Sequence, residues 1–564
     1  MYGRRWLVSL LLIPCLAACE SAPPHQVVVK GGTIYDGSGN APFTGDVAID
    51  DDTISAVVSY EESPDGLRGL SEIDAAGKAV SPGFINMLSW ANESLLLDGR
   101  GESDLVQGVT LVVMGEGWSM GPLNNSMKAE MLEDQGDLEF DVTWTSLGEY
   151  LDHLVERGVS PNVASFVGAT TVRIHELGYE DRAPTAEELE RMQGLVREAM
   201  REGAMGLGSS LIYAPAFYAD TDELIALASA AGELGGMYIS HIRSEGNSVM
   251  AALDELITIA READVAAEVY HLKAAGQENW PKLEEIIRAI EAARAEDLRI
   301  TADMYTYTAG ATGLDAAMPP WVQEGGDQAW IARLEDPAIR RRVANEMRTP
   351  TDEWENLYLA AGSPENVLLV GFRNDELKPL TGKTLAEVAE MRGLSPEEAA
   401  MDLLVANGAD IGTVYFFMSE DNVKKKIALP WMSFGSDAEA MSPEGVFLEF
   451  NPHPRAYGTF ARLLGRYVRE EGVIPLEEAI RKSTSQPAAN LGIRGRGSLS
   501  PGYFADIVVF DPGTIIDHAT FAEPHQLATG VEHVFVNGVH TVREGAHTGA
   551  LAGRVVRGPG WTED

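Results

Sequence analysis

Between residues 81 and 496 short apolar segments alternate with longer stretches of helical periodicity, and this alternation narrows the possible folds more than any other feature of the chain. Predicted strands lie at Ser81–Met87, Thr110–Met114, Val163–Val167, Met205–Ser209, Met237–Ser240, Ala267–Tyr270, Ile300–Met304 and Met432–Ser436. Amphipathic helices fall between them, among them Ala186–Glu202 and Asp222–Leu234. Eight such units predict an α/β protein built on a (β/α)8 TIM-like barrel, with a doubly wound open sheet as the alternative. The stretch from Tyr305 to Met432 is too long for one unit and predicts an insertion at about 310–430, over the active-site face.

Both ends of the chain are strand-rich. Val27–Lys30, Asp46–Ile49 and Thr53–Val58 precede the barrel, and Gly502–Phe510 and Val531–Val536 follow it. Residues 27–80 and 497–564 are therefore expected to build one small β-sandwich domain from the two termini. The first residues read differently. Arg4 and Arg5 precede an apolar run from Trp6 to Ala18, too short to span a bilayer as a helix. Leu16-Ala17-Ala18-Cys19 looks like a bacterial lipobox, which predicts a signal peptide over 1–19, lipidation at Cys19 and a tether over 20–26. Glu20 favours the outer membrane, so the expectation is an exported lipoprotein on the periplasmic side, held to the membrane only through that anchor.

The chain carries 43 Lys and Arg against 86 Asp and Glu, a formal net charge of −43. Nonspecific binding to nucleic acid needs the opposite sign and is excluded on that ground. Attraction to an anionic membrane surface is disfavoured for the same reason. Solubility in a salty medium accounts for such a charge, and a preference for cationic substrates is the sharper reading. The two cysteines, Cys15 and Cys19, both lie in the leader, so a metal site in the remainder must use His, Asp, Glu or a modified Lys.

In a (β/α)8 barrel the reactive groups follow the C-terminal ends of the strands. His241 and His271 stand at two successive strand ends, and neutral imidazole is a favoured ligand of zinc. Glu116 sits between Gly115 and Gly117 after the second strand, where a sharp turn can bring its carboxylate to a metal. Three protein ligands leave a position for water, the pattern of a catalytic site. Asp437, after the last strand, can accept a proton from that water and return it to a leaving amine. Lys273 follows His271 by two residues, and surface, supporting and catalytic roles are all open to it.

Several motifs together resemble the D-aminoacylase (N-acyl-D-amino-acid deacylase) branch of the amidohydrolase superfamily. They are Ser81-Pro82-Gly83-Phe84-Ile85, Tyr238 to Gly246 around His241, Val269-Tyr270-His271-Leu272-Lys273, Asp303-Met304-Tyr305-Thr306-Tyr307, Phe434-Gly435-Ser436-Asp437 and His453 to Phe460. The resemblance implies a barrel with a β-sandwich, zinc chemistry with one ion, and release of a carboxylate from an N-acyl-D-amino acid. It makes His241 and His271 zinc ligands and Asp437 the general acid/base. Arg455 and Tyr307, with Tyr305 in the same motif, fall where the α-carboxylate of a small substrate would be held, a task that suits a guanidinium fork. The chain departs from the family twice. Leu88 and Trp90 stand where a His-x-His pair usually follows the first strand, and Glu116 is the nearest replacement for a cysteine ligand. A second metal is therefore not expected. D-residue-containing dipeptides are an alternative substrate, and a non-catalytic peptide-binding lipoprotein is an alternative function.

Overall fold

Seven of the eight predicted strands form within a residue or two of their expected ends, because each is an apolar run bounded by turn residues and buried throughout most of its length. A computed structural model describes residues 24–562. Cys19, the leader and most of the tether lie outside the described residues. The first strand begins at His25, within the last residues of the stretch expected as a tether, and the His25 imidazole Nδ1 lies 2.6 Å from Asp50 Oδ2.

The central strands run Phe84–Asn86, Val109–Met114, Asn162–Ser165 continuing as Val167–Gly168, Gly206–Ser210, Met237–His241, Ala267–Val269, Ile300–Met304 and Met432–Phe434. Each pairs in parallel with the next. The first and last of them are also neighbours. Met87 N–H donates to Phe434 O at 3.1 Å, Ser436 N–H donates to Asn86 Oδ1 at 2.7 Å, and Ser89 bridges Ala438 in parallel. Helices pack outside these strands. One of them, Ala186–Arg201, starts at Thr185, whose hydroxyl accepts the Glu188 N–H while the Glu188 carboxylate accepts the Thr185 N–H.

The remaining predicted strand, Ser81–Met87, is divided between two sheets. Ala79–Pro82 pairs antiparallel with Ile507–Phe510 and joins the two chain ends, whereas Phe84–Asn86 opens the central set. Gly83 makes the crossing, where a Cβ would collide with the Thr110 side chain. The terminal strands form one nine-stranded sheet. A bulge between Val29 and Gly32 lets His25–Ile34 pair with Gly69–Asp74 by its first half and with Ala79–Pro82 by its second. Val29, Ile34 and Val47 share a core there with Ile507, Val509 and Phe535, so neither end of the chain can bury its apolar face without the other.

A separate unit lies between the seventh and eighth central strands. Ala309–Gly313, Gly412–Phe416 and Val367–Gly371 make a three-stranded antiparallel sheet, backed by helices such as Pro337–Met347 and Pro396–Asn407 around a core of their own. Its edge residues Thr312, Arg373, Asp410 and Thr413 lie on the wall of the main cavity, so the insertion roofs the C-terminal ends of the central strands. Among the described residues no helix is long and apolar enough to cross a membrane.

Candidate metal centre and active site

Four strand ends converge on one point. The fifth central strand ends at His241, the sixth stops two residues before His271, the second two residues before Glu116, and the eighth three residues before Asp437. Glu116 Oε1 lies 3.1 Å from His241 Nδ1 and 2.8 Å from His271 Nε2, and the two imidazole rings meet edge to face at 4.5 Å. The backbone is strained to bring them there. His271 has φ +33° and Asp437 φ +52°, in the left-handed region that costs a non-glycine residue energy. The His271 N–H is held by Asp303 Oδ1 at 2.8 Å. Gly115 (φ +102°) and Gly117 (φ +71°) flank Glu116 as the sequence suggests, and a Cβ on Gly117 would lie 2.6 Å from that of Ser210. Gly117→Ala is expected to displace Glu116 and cost metal retention more than thermal stability. Metal content after dialysis, beside a melting curve, checks this; loss of fold with metal retained would count against it.

The donor set fits a metal ion. Glu116, His241 and His271 are buried, and one ligand atom of each lies within 4.8 Å of the others. Burial would raise the Glu116 carboxyl, but His271 and His241 outweigh it and hold the group well below the usual carboxylate range. Burial and Lys273 oppose a charged His271, yet Glu116, Glu245 and Asp437 lift it to about 10. Such a pocket calls for positive charge between its ligands, which a divalent ion supplies as well as a proton does. The mixed nitrogen and oxygen donors suit zinc.

Asp437 lies beside this centre. Its Oδ2 is 2.6 Å from Arg455 Nη1, and its Oδ1 accepts the Trp90 Nε1–H at 3.2 Å. Burial raises the Asp437 carboxyl above its usual value despite the opposing Arg455. The same Trp90 indole N–H also lies 3.0 Å from Glu116 Oε2, so Trp90 stands between the two carboxylates. Leu88 packs into the apolar core behind them. Arg455 lies over the Tyr305 ring at 4.6 Å, and both line a cavity of ≈ 780 Å³ together with Glu116, His241, His271 and Asp437. The Tyr305 hydroxyl and Arg455 Nε are buried without a hydrogen-bond partner. Tyr307 is placed elsewhere, which corrects the expectation for it. Its hydroxyl donates to Asp517 Oδ2 at 3.1 Å and Arg462 covers its ring at 4.7 Å, so it ties the end of the seventh central strand to the C-terminal segment and does not line the cavity.

Residue type alone left Glu245 without a role and Lys273 with three. Both are buried, at 3 % and 4 % exposure, which removes the surface role for Lys273. Lys273 Nζ lies 2.6 Å from Glu245 Oε1 and 2.8 Å from His271 Nδ1, and Glu245 Oε1 is 3.1 Å from the same nitrogen. A carboxylate on the far nitrogen leaves Nε2 of His271 turned toward Glu116, the arrangement by which outer partners orient a ligating imidazole. Their spacing was the available signal, with Glu245 four residues after His241 and Lys273 two after His271.

With this geometry in hand, comparison places the chain. It matches the amidohydrolase family over residues 71–542. The D-aminoacylase of Alcaligenes xylosoxydans xylosoxydans is 34 % identical over 541 residues, covering 95 % of this chain and 98 % of that one. This chain belongs to the D-aminoacylase branch of the amidohydrolases. It is a hydrolase of linear amides, and two solved structures align with the amidohydrolase as a whole. A D-aminoacylase described by its binuclear metal centre, with one-metal activation and second-metal attenuation, has a TM-score of 0.78 at 32 % identity and covers 95 % of this chain and 100 % of its own. An N-acyl-D-glutamate deacylase from Bordetella bronchiseptica, complexed with zinc and a phosphonate mimic of the tetrahedral intermediate, has a TM-score of 0.78 at 29 % identity with the same coverage.

Proposed function

We propose that this amidohydrolase cleaves N-acyl-D-amino acids to a carboxylate and a D-amino acid, using one zinc ion held by Glu116, His241 and His271 in a (β/α)8 barrel. The observation that carries the reading is the convergence of three buried ligands beside the Asp437–Arg455 pair in one cavity. The unbroken run of parallel neighbours from the first to the eighth central strand supports the barrel. A single ion is favoured because Leu88 and Trp90 offer no ligand atoms and the Trp90 indole bonds both carboxylates. Such an ion supplies Lewis acidity to the scissile carbonyl and to the attacking water. Asp437 moves the proton, taking it from the water and giving it to the leaving nitrogen. Arg455 Nε and the Tyr305 hydroxyl, both without a partner, are available to the α-carboxylate of the substrate. The reading extends to an exported enzyme anchored through Cys19 at the periplasmic face of the outer membrane, a placement supported by the lipobox.

The test is acid release from paired N-acetyl-D- and N-acetyl-L-amino acids, by a form beginning at Glu20 so that the strand from His25 stays whole. Turnover of the D-series alone, abolished by chelator, is expected; equal turnover of both series or survival in chelator would overturn it. Arg455→Met should lower the preference for a free acid over its primary amide roughly 10–100-fold, the worth of a hydrogen bond to a charged group. An unchanged ratio would remove the role assigned to Arg455.

A further inference from the structure

We propose that the substrate of this site bears a cationic side chain, an ammonium or guanidinium, received by Glu93 and Glu439 on the wall of the catalytic cavity. The inference rests on the deacylase reading and names the class of amino acid it acts on. Both residues adjoin the reaction centre. Glu93 lies in the first turn of the helix Ala91–Leu97, which starts directly after Trp90, and Glu439 follows Asp437 by two residues. Both line the same cavity as Tyr305 and Arg455, whose hydroxyl and Nε are buried without a hydrogen-bond partner and would hold the α-carboxylate, which leaves Glu93 and Glu439 to the side chain of the same ligand.

The cations of the cavity are already committed. Arg455 pairs with Asp437 at 2.6 Å, Lys273 with Glu245 at 2.6 Å, and Arg373 with Asp410 at 2.8 Å and Asp134 at 3.7 Å. Neither Glu93 nor Glu439 forms an ion pair among the described residues. Burial and the like charges of Asp410 and Glu439 push Glu93 up to about 7, with Arg373 opposing only in part. Glu439 is raised by burial as well. Solubility does not explain these two, because both are partly buried and face a cavity rather than bulk water. A positive group entering between them would offset the repulsion and regain hydrogen bonds to charge. An anionic side chain, such as the D-glutamate handled by the Bordetella relative, would meet the same wall with the wrong sign.

The decisive experiment is kcat/KM for N-acetyl-D-lysine, -D-arginine, -D-leucine and -D-glutamate, at low and high salt. D-lysine or D-arginine is expected to exceed D-leucine roughly 10–100-fold, as charge-assisted hydrogen bonds allow, with D-glutamate last and the preference shrinking in salt. In the Glu93→Gln/Glu439→Gln double variant the cationic preference should collapse, chiefly through KM. If D-leucine is turned over as well as the cationic substrates, the inference is overturned and the deacylase reading stands. Cationic preference that survives unchanged in a folded double variant overturns the assignment to these two residues. If that variant does not fold, the four-substrate series on the unaltered enzyme decides alone. No turnover of any N-acetyl-D-amino acid overturns the deacylase reading and this inference with it.

Discussion

Asp437→Asn is expected to lower kcat by about 10²–10⁴-fold, the usual worth of a positioned general acid/base, while the protein keeps its metal. The side chains are the same size, and the amide can still accept the hydrogen bond that Trp90 Nε1 gives to Oδ1. What disappears is the ability to take up a proton and release it. Asparagine also frees Arg455, whose Nη1 lies 2.6 Å from the Asp437 carboxylate. The guanidinium then has more to offer a substrate carboxylate, so KM should not rise. Steady-state kinetics beside metal analysis separates the possibilities. Near-normal kcat would remove Asp437 from the proton path, and lost metal would make it a ligand instead.

The second large effect concerns the metal itself. His271→Ala removes one of the three proposed ligands and is expected to weaken metal binding more than the roughly 10–100-fold typical of an outer partner. Glu245→Gln supplies that comparison. It keeps an oxygen near His271 Nδ1 but takes away the charge that Lys273 and His271 share at 2.6 and 3.1 Å. Its loss should therefore fall within that range. Competition with a graded chelator, read as metal content, ranks the two variants. Equal retention in His271→Ala and the unaltered protein would show that the ion sits elsewhere; a larger loss in Glu245→Gln than in His271→Ala would make Glu245 the ligand.

Periodicity and residue type were enough to locate the central strands. The reason is local. A run such as Ile300–Met304 marks itself as a buried strand by its own apolar residues and length, and groups at or just after strand ends share one rim. The convergence of His241, which ends a strand, with His271, Glu116 and Asp437, which follow strand ends by two or three residues, was legible on that rule. Partnerships between distant strands were not. Which tyrosine of Tyr305 and Tyr307 faces the cavity depends on Asp517, 210 residues away from Tyr307 in sequence, and no local pattern encodes that contact. The same holds for Trp90, whose indole joins Glu116 and Asp437 across gaps of 26 and 347 residues, and for the division of Ser81–Met87 at Gly83. Local periodicity sets where a side chain leaves the backbone; close packing of elements far apart in the chain sets what it meets there.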